Sequence, residues 1–169
     1  MSSKQASNFN KALGDMAKAI NSDLTTSEKL HLLVRLAPRA LAVRGCSLLL
    51  LDAQRKRLVH APAHGLSERY LRKGFVEAEK SLPETMEGKV VKVVDAATDP
   101  RIQFQELAQQ EHVVSVMGVP LKIKGEVVGS LRVYSRTHRD FTSREEQFLT
   151  TVANLAGVVL ESDRFVETG

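Results

Sequence analysis

The side chains able to do chemistry in this sequence are few and scattered. One cysteine, Cys46, lies in the run Cys46-Ser47-Leu48-Leu49-Leu50-Leu51-Asp52. It has no second sulfur for a disulfide, a redox pair or a sulfur-rich metal site. In so apolar a segment it reads as a buried structural thiol rather than a nucleophile. His60 and His64 stand at i and i+4, on one face of an extended segment. At the rise of a strand they are ~13 Å apart, too far to share one metal ion, and no nearby carboxylate completes a site. Pro62 could bend that segment. No glycine-rich phosphate loop, Gly-x-Ser-x-Gly elbow or His-Glu-x-x-His motif is present. The reading is a non-enzyme with no metal and no cofactor.

More informative is the segment from Val127. Strand alternation puts Val127, Gly129, Leu131 and Val133 on one face and Val128, Ser130, Arg132 and Tyr134 on the other. The first set is apolar and suits a core. Arg132, with Ser130 and Tyr134 beside it, could recognise a carboxylate or another small anion through paired hydrogen bonds. The competing reading has Arg132 pointing into water, and the spacing alone leaves both open.

These residues need elements to hold them. The 169 residues and 18.7 kDa fit one domain with length left for flanking helices. An apolar fraction of 43% and a charged fraction of 26% exclude a disordered tail or a fibrous design. No apolar run approaches the ~18 residues of a spanning helix. The start, Met-Ser-Ser-Lys-Gln-Ala-Ser, has no hydrophobic signal region, which points to the cytoplasm and no membrane. The net charge is +4, and from Arg35 to Lys73 nine basic residues oppose only Asp52 and Glu68. That stretch is +7, which leaves −3 for the rest. Nucleic-acid binding would need stacking aromatics or a recognition helix among these charges. Arg55-Lys56-Arg57 has neither and reads as a solvated hairpin tip.

Phe9, Leu13, Met16 and Ile20 predict an amphipathic helix ended by Asn21-Ser22-Asp23. Ser27 is a plausible cap for a second helix, with Pro38 kinking it or stopping it near Ala37. Strands are expected over 46–52, 57–63, 89–95, 112–123 and 127–135. Ser67 to Lys73 reads as a short helical turn and Phe75 to Gly88 as irregular. Asp99-Pro100 should open a helix reaching Glu111. Thr142-x-x-Glu145 and Ser143-x-x-Glu146 offer two capping boxes for a long last helix. The apolar set of that helix is wide enough to need two covering surfaces. The fold class is α+β, an antiparallel sheet with long terminal helices packed on one face.

That layout and several strings resemble a GAF domain, the sensory module with a PAS-like fold. The strings are Ser81-Leu82-Pro83, the run from Val94 through Asp99-Pro100-Arg101, and Val119-Pro120-Leu121 before Lys124-Gly125. Val128-Gly129-Ser130-Leu131-Arg132-Val133 and Phe141 complete them. The resemblance covers roughly 28–161 and implies a central sheet of about six antiparallel strands, with a ligand pocket opposite the helices, roofed by residues 65–88 and 96–112. On that geometry Ser130, Arg132 and Tyr134 face the pocket, Ser115 and Met117 line it from the paired strand, and Tyr70, Phe75 and Phe104 are its roof aromatics. The alternative is a collapsed pocket with Arg132 in water.

Some family chemistries fit poorly. Methionine sulfoxide reduction in a few GAF-like proteins needs several cysteines, and Cys46 lies at the start of a strand rather than in the roof where a bilin would attach. His112 could ligate haem as in a few relatives, although a surface or hydrogen-bonded histidine is the plainer reading. Cyclic-nucleotide binders carry Asn-Lys and then Phe-x-x-x-Asp-Glu; here Ser135-Arg136 and Phe141-x-x-x-Glu145-Glu146 stand instead. An Arg136–Glu145 ion pair could clip the last strand to the last helix.

The reading is a helix over 1–26 for dimerisation or linkage, a GAF-like domain over 27–162 and a tail over 163–169. Its expected role is sensory: binding an unidentified small molecule and signalling as a homodimer through the first and last helices, to a fused output domain or a partner in trans. The alternative is a structural dimerisation module with a vestigial pocket.

Overall fold

Apolar spacing decides which helix faces are buried. Phe9, Ala12, Met16 and Ala19 are buried along α1 (Ser3–Ile20), and Leu30, Leu33, Val34, Ala37 and Leu41 along α2 (Thr26–Leu41). The computed structural model describes residues 3–168, with side chains as far as Asp163. The cap of α2 is Thr25 rather than Ser27. Thr25 Oγ1 accepts from the Glu28 N–H and Glu28 Oε1 accepts from the Thr25 N–H, both at 3.1 Å. Two terminal donors are satisfied at once, which a lone Ser27 cannot match. Pro38 does not stop α2 near Ala37. The helix runs to Leu41 and closes on Ala42, whose φ is 57°. So near the end, a proline removes only one hydrogen bond.

The sheet has the order β3-β2-β1-β6-β5-β4, every pair antiparallel. Its strands are β1 (Gly45–Leu51), β2 (Arg57–His64), β3 (Val76–Glu77), β4 (Val91–Val93), β5 (Ser115–Ile123) and β6 (Glu126–Ser135). The class is α+β, as expected. One face carries Cys46, Leu48, Met117, Val119, Leu121, Leu131 and Val133 into a single core with α1, α2 and the last helix. The other face meets the short elements α3 (Glu68–Leu71), a 3₁₀ turn (Pro83–Glu87) and α4 (Gln105–Gln110).

Two irregularities of register decide what each face carries. A two-residue turn at Lys124-Gly125 pairs Ile123 with Glu126 and Lys122 with Val127, but from Leu121 the pairing has slipped by one, to Gly129. The extra residue, Val128, packs toward the helix-side core. Beyond it Met117 pairs with Val133 and Val116 with Tyr134. In β1–β2 the register likewise shifts between Ser47↔Ala63 and Leu49↔His60. A slip of one residue exchanges the faces of everything beyond it.

The helix expected from Asp99 begins only at Gln105. Asp99 Oδ1 accepts from the Arg101 N–H at 2.9 Å, but the Arg101 carbonyl accepts from the Leu82 N–H at 2.9 Å. A tertiary bond to the 3₁₀ turn thus takes the acceptor that a helix would have used. β5 also starts later than expected, because His112 turns the chain with φ 60°.

The last helix, α5 (Ser143–Thr168), uses the first of its two capping boxes. Glu145 N–H donates to Thr142 Oγ1 at 3.1 Å, and Glu145 Oε1 accepts from the Thr142 N–H at 2.9 Å. The other Glu145 oxygen meets Arg139, not Arg136, which is exposed. Arg139 also donates to the Leu41 and Ala42 carbonyls at 2.6 and 3.0 Å, tying the start of α5 to the end of α2. Phe148 stacks on Phe9 with ring centroids 4.3 Å apart, while Leu149, Val152 and Ala156 join the sheet-side core. The wide apolar set of α5 is thus covered within one chain, by the sheet, α1 and α2. α5 continues to Thr168, through most of the expected 163–169 tail, and Gly169 lies outside the described residues. No helix among the described residues is long and apolar enough to cross a membrane.

Candidate functional site

Arg132 projects from the centre of β6 into the layer between the sheet and the short elements, and only 6% of it is exposed. Its three named hydrogen bonds all go to neutral acceptors. Nη1 donates to Ser81 Oγ at 2.6 Å, Nη2 to the Ser81 carbonyl at 3.0 Å and Nε to Ser130 Oγ at 3.3 Å. Among the described residues no carboxylate pairs with it. Burial lowers its pKa, countered in part by Tyr134 and Tyr70. A buried guanidinium without an anion is costly, because attraction to a counter-charge is what normally offsets desolvation.

Ser81 reaches Arg132 because Leu82 adopts a left-handed backbone, φ 44°, where the chain enters the 3₁₀ turn. Leu82 packs on the bare backbone of Gly118, where an added Cβ would lie 2.6 Å from Leu82 Cδ1. Gly118 pairs with Arg132 across β5–β6, so a side chain there would disturb the guanidinium's neighbour directly.

Tyr134 and Tyr70 meet edge to face with centroids 5.9 Å apart beside the arginine. Burial pushes both phenols up in pKa, so they remain neutral hydrogen-bonding groups. The roof is fastened at one end by Glu111, whose carboxylate accepts from the Ser67 N–H at 2.7 Å and its hydroxyl at 2.8 Å. Arg44 pairs with the same carboxylate at 3.4 Å. Burial would raise the pKa of Glu111, but these hydrogen bonds with Arg44 and Lys73 lower it on balance. Ser67 in turn caps α3 through the Tyr70 N–H at 3.2 Å, which fixes where Tyr70 and Lys73 lie.

Lys73 is the second cation of this interior. Its Nζ lies 3.2 Å from His60 Nε2, 3.2 Å from the Tyr70 carbonyl and 4.0 Å above the centre of the Tyr70 ring. Burial first, then the charge of Arg132, pushes its pKa down to about 8, against a smaller upward pull from Glu111. His60 Nδ1 lies 2.9 Å from Ser47 Oγ, on the same side of the sheet. Burial, Lys73 and Arg132 lower the His60 pKa to about 4. A neutral His60 with Nδ1–H toward Ser47 presents Nε2 as an acceptor to Lys73.

Arg132, Tyr134, Tyr70 and Phe104 are brought together around an enclosed space of ≈ 20 Å³, with Lys73, His60 and Ser81 completing the polar lining. That is room for about one water. Ser130 is buried behind the arginine as a hydrogen-bond acceptor. Met117 and Ser115 do not line this space. The bulge at Val128 moves Met117 to the helix-side core and puts Val116 in its place. Ser115 Oγ instead donates to the Val94 carbonyl at 2.6 Å and accepts from the Arg139 N–H at 2.9 Å. Phe75 is also outside, 68% exposed, with the Arg57 guanidinium 3.8 Å from its ring centre. His60 and His64 do not share a face. The register shift in β2 turns His60 to the cavity and leaves His64 against α2, beside His31. His112 lies on an exposed turn and Cys46 is fully buried, where desolvation raises its thiol far above the working range.

Lys73, His60 and Ser81 carry chemistry that the residue pattern did not assign. Ser81 was visible only as part of the Ser81-Leu82-Pro83 string, and Lys73 only as one member of a basic run. Larger clefts exist between α1 and α2 (≈ 180 Å³) and between α2 and β2 (≈ 390 Å³). They are open grooves whose charged groups are solvated, so the interior with its uncompensated arginine is the stronger candidate.

The sequence model of the GAF domain family matches residues 25–160. A methyl sulfide methyltransferase-associated sensor from Methanosarcina acetivorans is 30% identical over 149 residues, which is 84% of this chain and 15% of that protein. The chain therefore spans only a small part of that relative's length. The GAF domain of a phosphoenolpyruvate-protein phosphotransferase from Coxiella burnetii superposes with a TM-score of 0.85 at 21% identity, covering 99% of this chain and all of the other. A free methionine-R-sulfoxide reductase from Neisseria meningitidis, solved with its substrate, gives 0.80 at 19% identity over 98% and 95% of the two chains. At these identities the solved structures share the fold.

Proposed function

The chain belongs to the GAF domain family, and on that premise we propose that it is a sensory domain whose interior takes a small anion, with Arg132 as the recognising group. The observation that supports this reading is the buried guanidinium, held only by neutral acceptors and accompanied by a second, partly buried cation, Lys73. A carboxylate reaching it would supply the missing counter-charge through short, charge-assisted bonds. The reading is a receptor rather than an enzyme, and it passes its signal through a homodimer of α1 and α5 to an output domain or a partner in trans. On α5, Val158 is 55% exposed.

A second reading is favoured by the cavity itself. With ≈ 20 Å³ free, the pocket is nearly filled by its own side chains, as in a structural dimerisation module. Anything larger than a water must displace part of this lining.

Thermal melting and calorimetry against formate, acetate and larger carboxylates separate the two. A ligand at a hundred times its Kd adds ~2.7 kcal/mol, or roughly 5–10 °C for a domain of this size. Arg132→Met should fold, as judged by circular dichroism, and lose that shift. If no anion moves the melting temperature of the native protein, the module reading stands instead. Light scattering should give about twice the 18.7 kDa chain mass; a monomer would remove the helical interface from the proposal.

A further inference from the structure

Both terminal nitrogens of Arg132 are engaged by a single residue. Nη1 donates to the Ser81 hydroxyl at 2.6 Å and Nη2 to the Ser81 carbonyl at 3.0 Å. That is the end-on fork a carboxylate makes with a guanidinium, reproduced by two neutral oxygens. The side-on fork needs Nε, and Ser130 Oγ stands 3.3 Å from it. With only ≈ 20 Å³ free beside the arginine, an anion pairing with both nitrogens of a fork has to take the place of one of these serines. They are not equally fixed. Ser130 lies within β6, paired with Leu49 on one side and Pro120 on the other. Ser81 belongs to no helix or strand, and its N–H donates to the Glu77 carbonyl at 3.0 Å. It is followed by Leu82 at φ 44°, a backbone that residues other than glycine seldom adopt. Ser81 is therefore the group that yields.

We propose that Ser81 is a built-in surrogate ligand, an autoinhibitory contact that a carboxylate displaces to reach Arg132. The inference rests on the proposed reading of Arg132 as the anion-recognising group and adds how access to it is controlled. Two charged oxygens replace two neutral ones on the same nitrogens, and charge-assisted bonds are the stronger kind. Ser81 leaves together with the backbone of Leu82. The Leu82 N–H donates to the Arg101 carbonyl at 2.9 Å, and the Leu82 carbonyl accepts from the Thr85 N–H at 3.0 Å. The first of these bonds joins the two roof segments, 65–88 and 96–112, and the second opens the 3₁₀ turn. Displacement of Ser81 loosens both, so occupancy of the interior becomes a rearrangement of the roof. The affinity the site shows is its intrinsic affinity reduced by the fraction of molecules in which Ser81 holds the fork.

The test uses the whole chain, with sodium acetate as the probe and sodium chloride at equal ionic strength as the blank. Calorimetry should show acetate binding to Ser81→Ala about tenfold or more tightly than to the native protein, because one of the two displaced hydrogen bonds to a charged group is already gone. The variant should also melt lower. A serine that only supports the fold would lower the melting temperature and leave binding unchanged or weaker. Ser130→Ala removes a contact that the ligand does not displace, and it should bind acetate no more tightly than the native protein. Ser81→Cys, close in shape but a weak acceptor, takes the place of Ser81→Ala if circular dichroism shows the latter unfolded. In native protein saturated with acetate, amide hydrogen exchange at Leu82 and Thr85 should quicken about tenfold or more as their bonds loosen. Native binding that is no tighter in the Ser81 variant, equally tightened by Ser130→Ala, or silent at the Leu82 amide overturns the surrogate and leaves the anion reading standing. Acetate binding to the Ser81 variant alone upholds the surrogate and refutes the anion reading of the native protein. Binding to neither overturns both.

Discussion

Replacing Lys73 by methionine should cost stability in alkali and almost nothing at neutral pH. Methionine keeps most of the hydrocarbon stem and removes the ionisable group. In the folded chain the Lys73 pKa is lowered from 10.5 to about 8. Between those values the unfolded chain holds a proton that the folded chain has released, so native stability rises with pH across that window and is depressed throughout below about 8. At ~1.4 kcal/mol for each pH unit, the depression is about 3 kcal/mol. Partial solvent access trims it toward about 2 kcal/mol. The variant also loses the two hydrogen bonds to His60 and the Tyr70 carbonyl, about 1 kcal/mol each. Above pH 10 only that loss counts, and Lys73→Met should be about 2 kcal/mol less stable than the native protein. At pH 7 the relief of the buried charge offsets it, and the two should differ by less than about 1 kcal/mol. The assay is urea unfolding of both proteins from pH 7 to 10.5 in CO₂-free buffer, comparing midpoints at equal slope. Other alkaline effects cancel in the difference between the two. A difference that is flat with pH, or one largest at pH 7, would refute the reasoning.

The remaining predictions concern the acid side and the two register shifts. His60, lowered from 6.5 to about 4 by burial, Lys73 and Arg132, should make the fold lose about 2 kcal/mol as pH falls from 6.5 to 4. His60→Gln should flatten that acid slope in urea titrations, and an unchanged slope would assign the loss to other groups. Gly129→Ala should destabilise by upwards of about 3 kcal/mol, because its Cβ would overlap the Leu49 carbonyl oxygen of the paired strand. Gly118→Ala clashes only with the Leu82 side chain, which can rotate, with Thr85 and Arg132 at ordinary contact, and should cost about 1–2 kcal/mol. Differential scanning calorimetry ranks the two, and the reverse order would mean that the 3₁₀ turn yields less readily than the sheet.

What the sequence made legible was whatever depends on local period. The helical stripe of α1, the doubly buried β1, the Thr142–Glu145 box and the antiparallel α+β class follow from local spacing and turn signals. The sixth strand, β3, lies in the 75–88 segment that reads as irregular and is implied only by the family resemblance. Arg132 and Tyr134 share a face for the same reason. Elements were misplaced where a tertiary partner outbid a local one. The Arg101 carbonyl went to Leu82 instead of a helix, and Thr25 took the cap that Ser27 could have held.

The site was less legible because its members come from six segments, and two unpaired residues set the relative phase of the strands among them. A perfect hairpin through Lys124-Gly125 puts Met117 opposite Arg132. One extra residue at Val128 replaces it by Val116 and leaves Gly118 opposite the arginine, and Gly118 is the position where Leu82 can lie on bare backbone and deliver Ser81. The slip in β2 likewise separates His60 from His64 and sends only His60 to Lys73. Composition cannot report such a phase, since inserting one residue changes no apolar count and no charge. The bulges therefore do more than end pairing. They are what assembles a buried arginine, a neutral histidine and a lysine of lowered basicity on one face of the sheet, and the strain they tolerate at Leu82 is localised beside the group that lacks an anion.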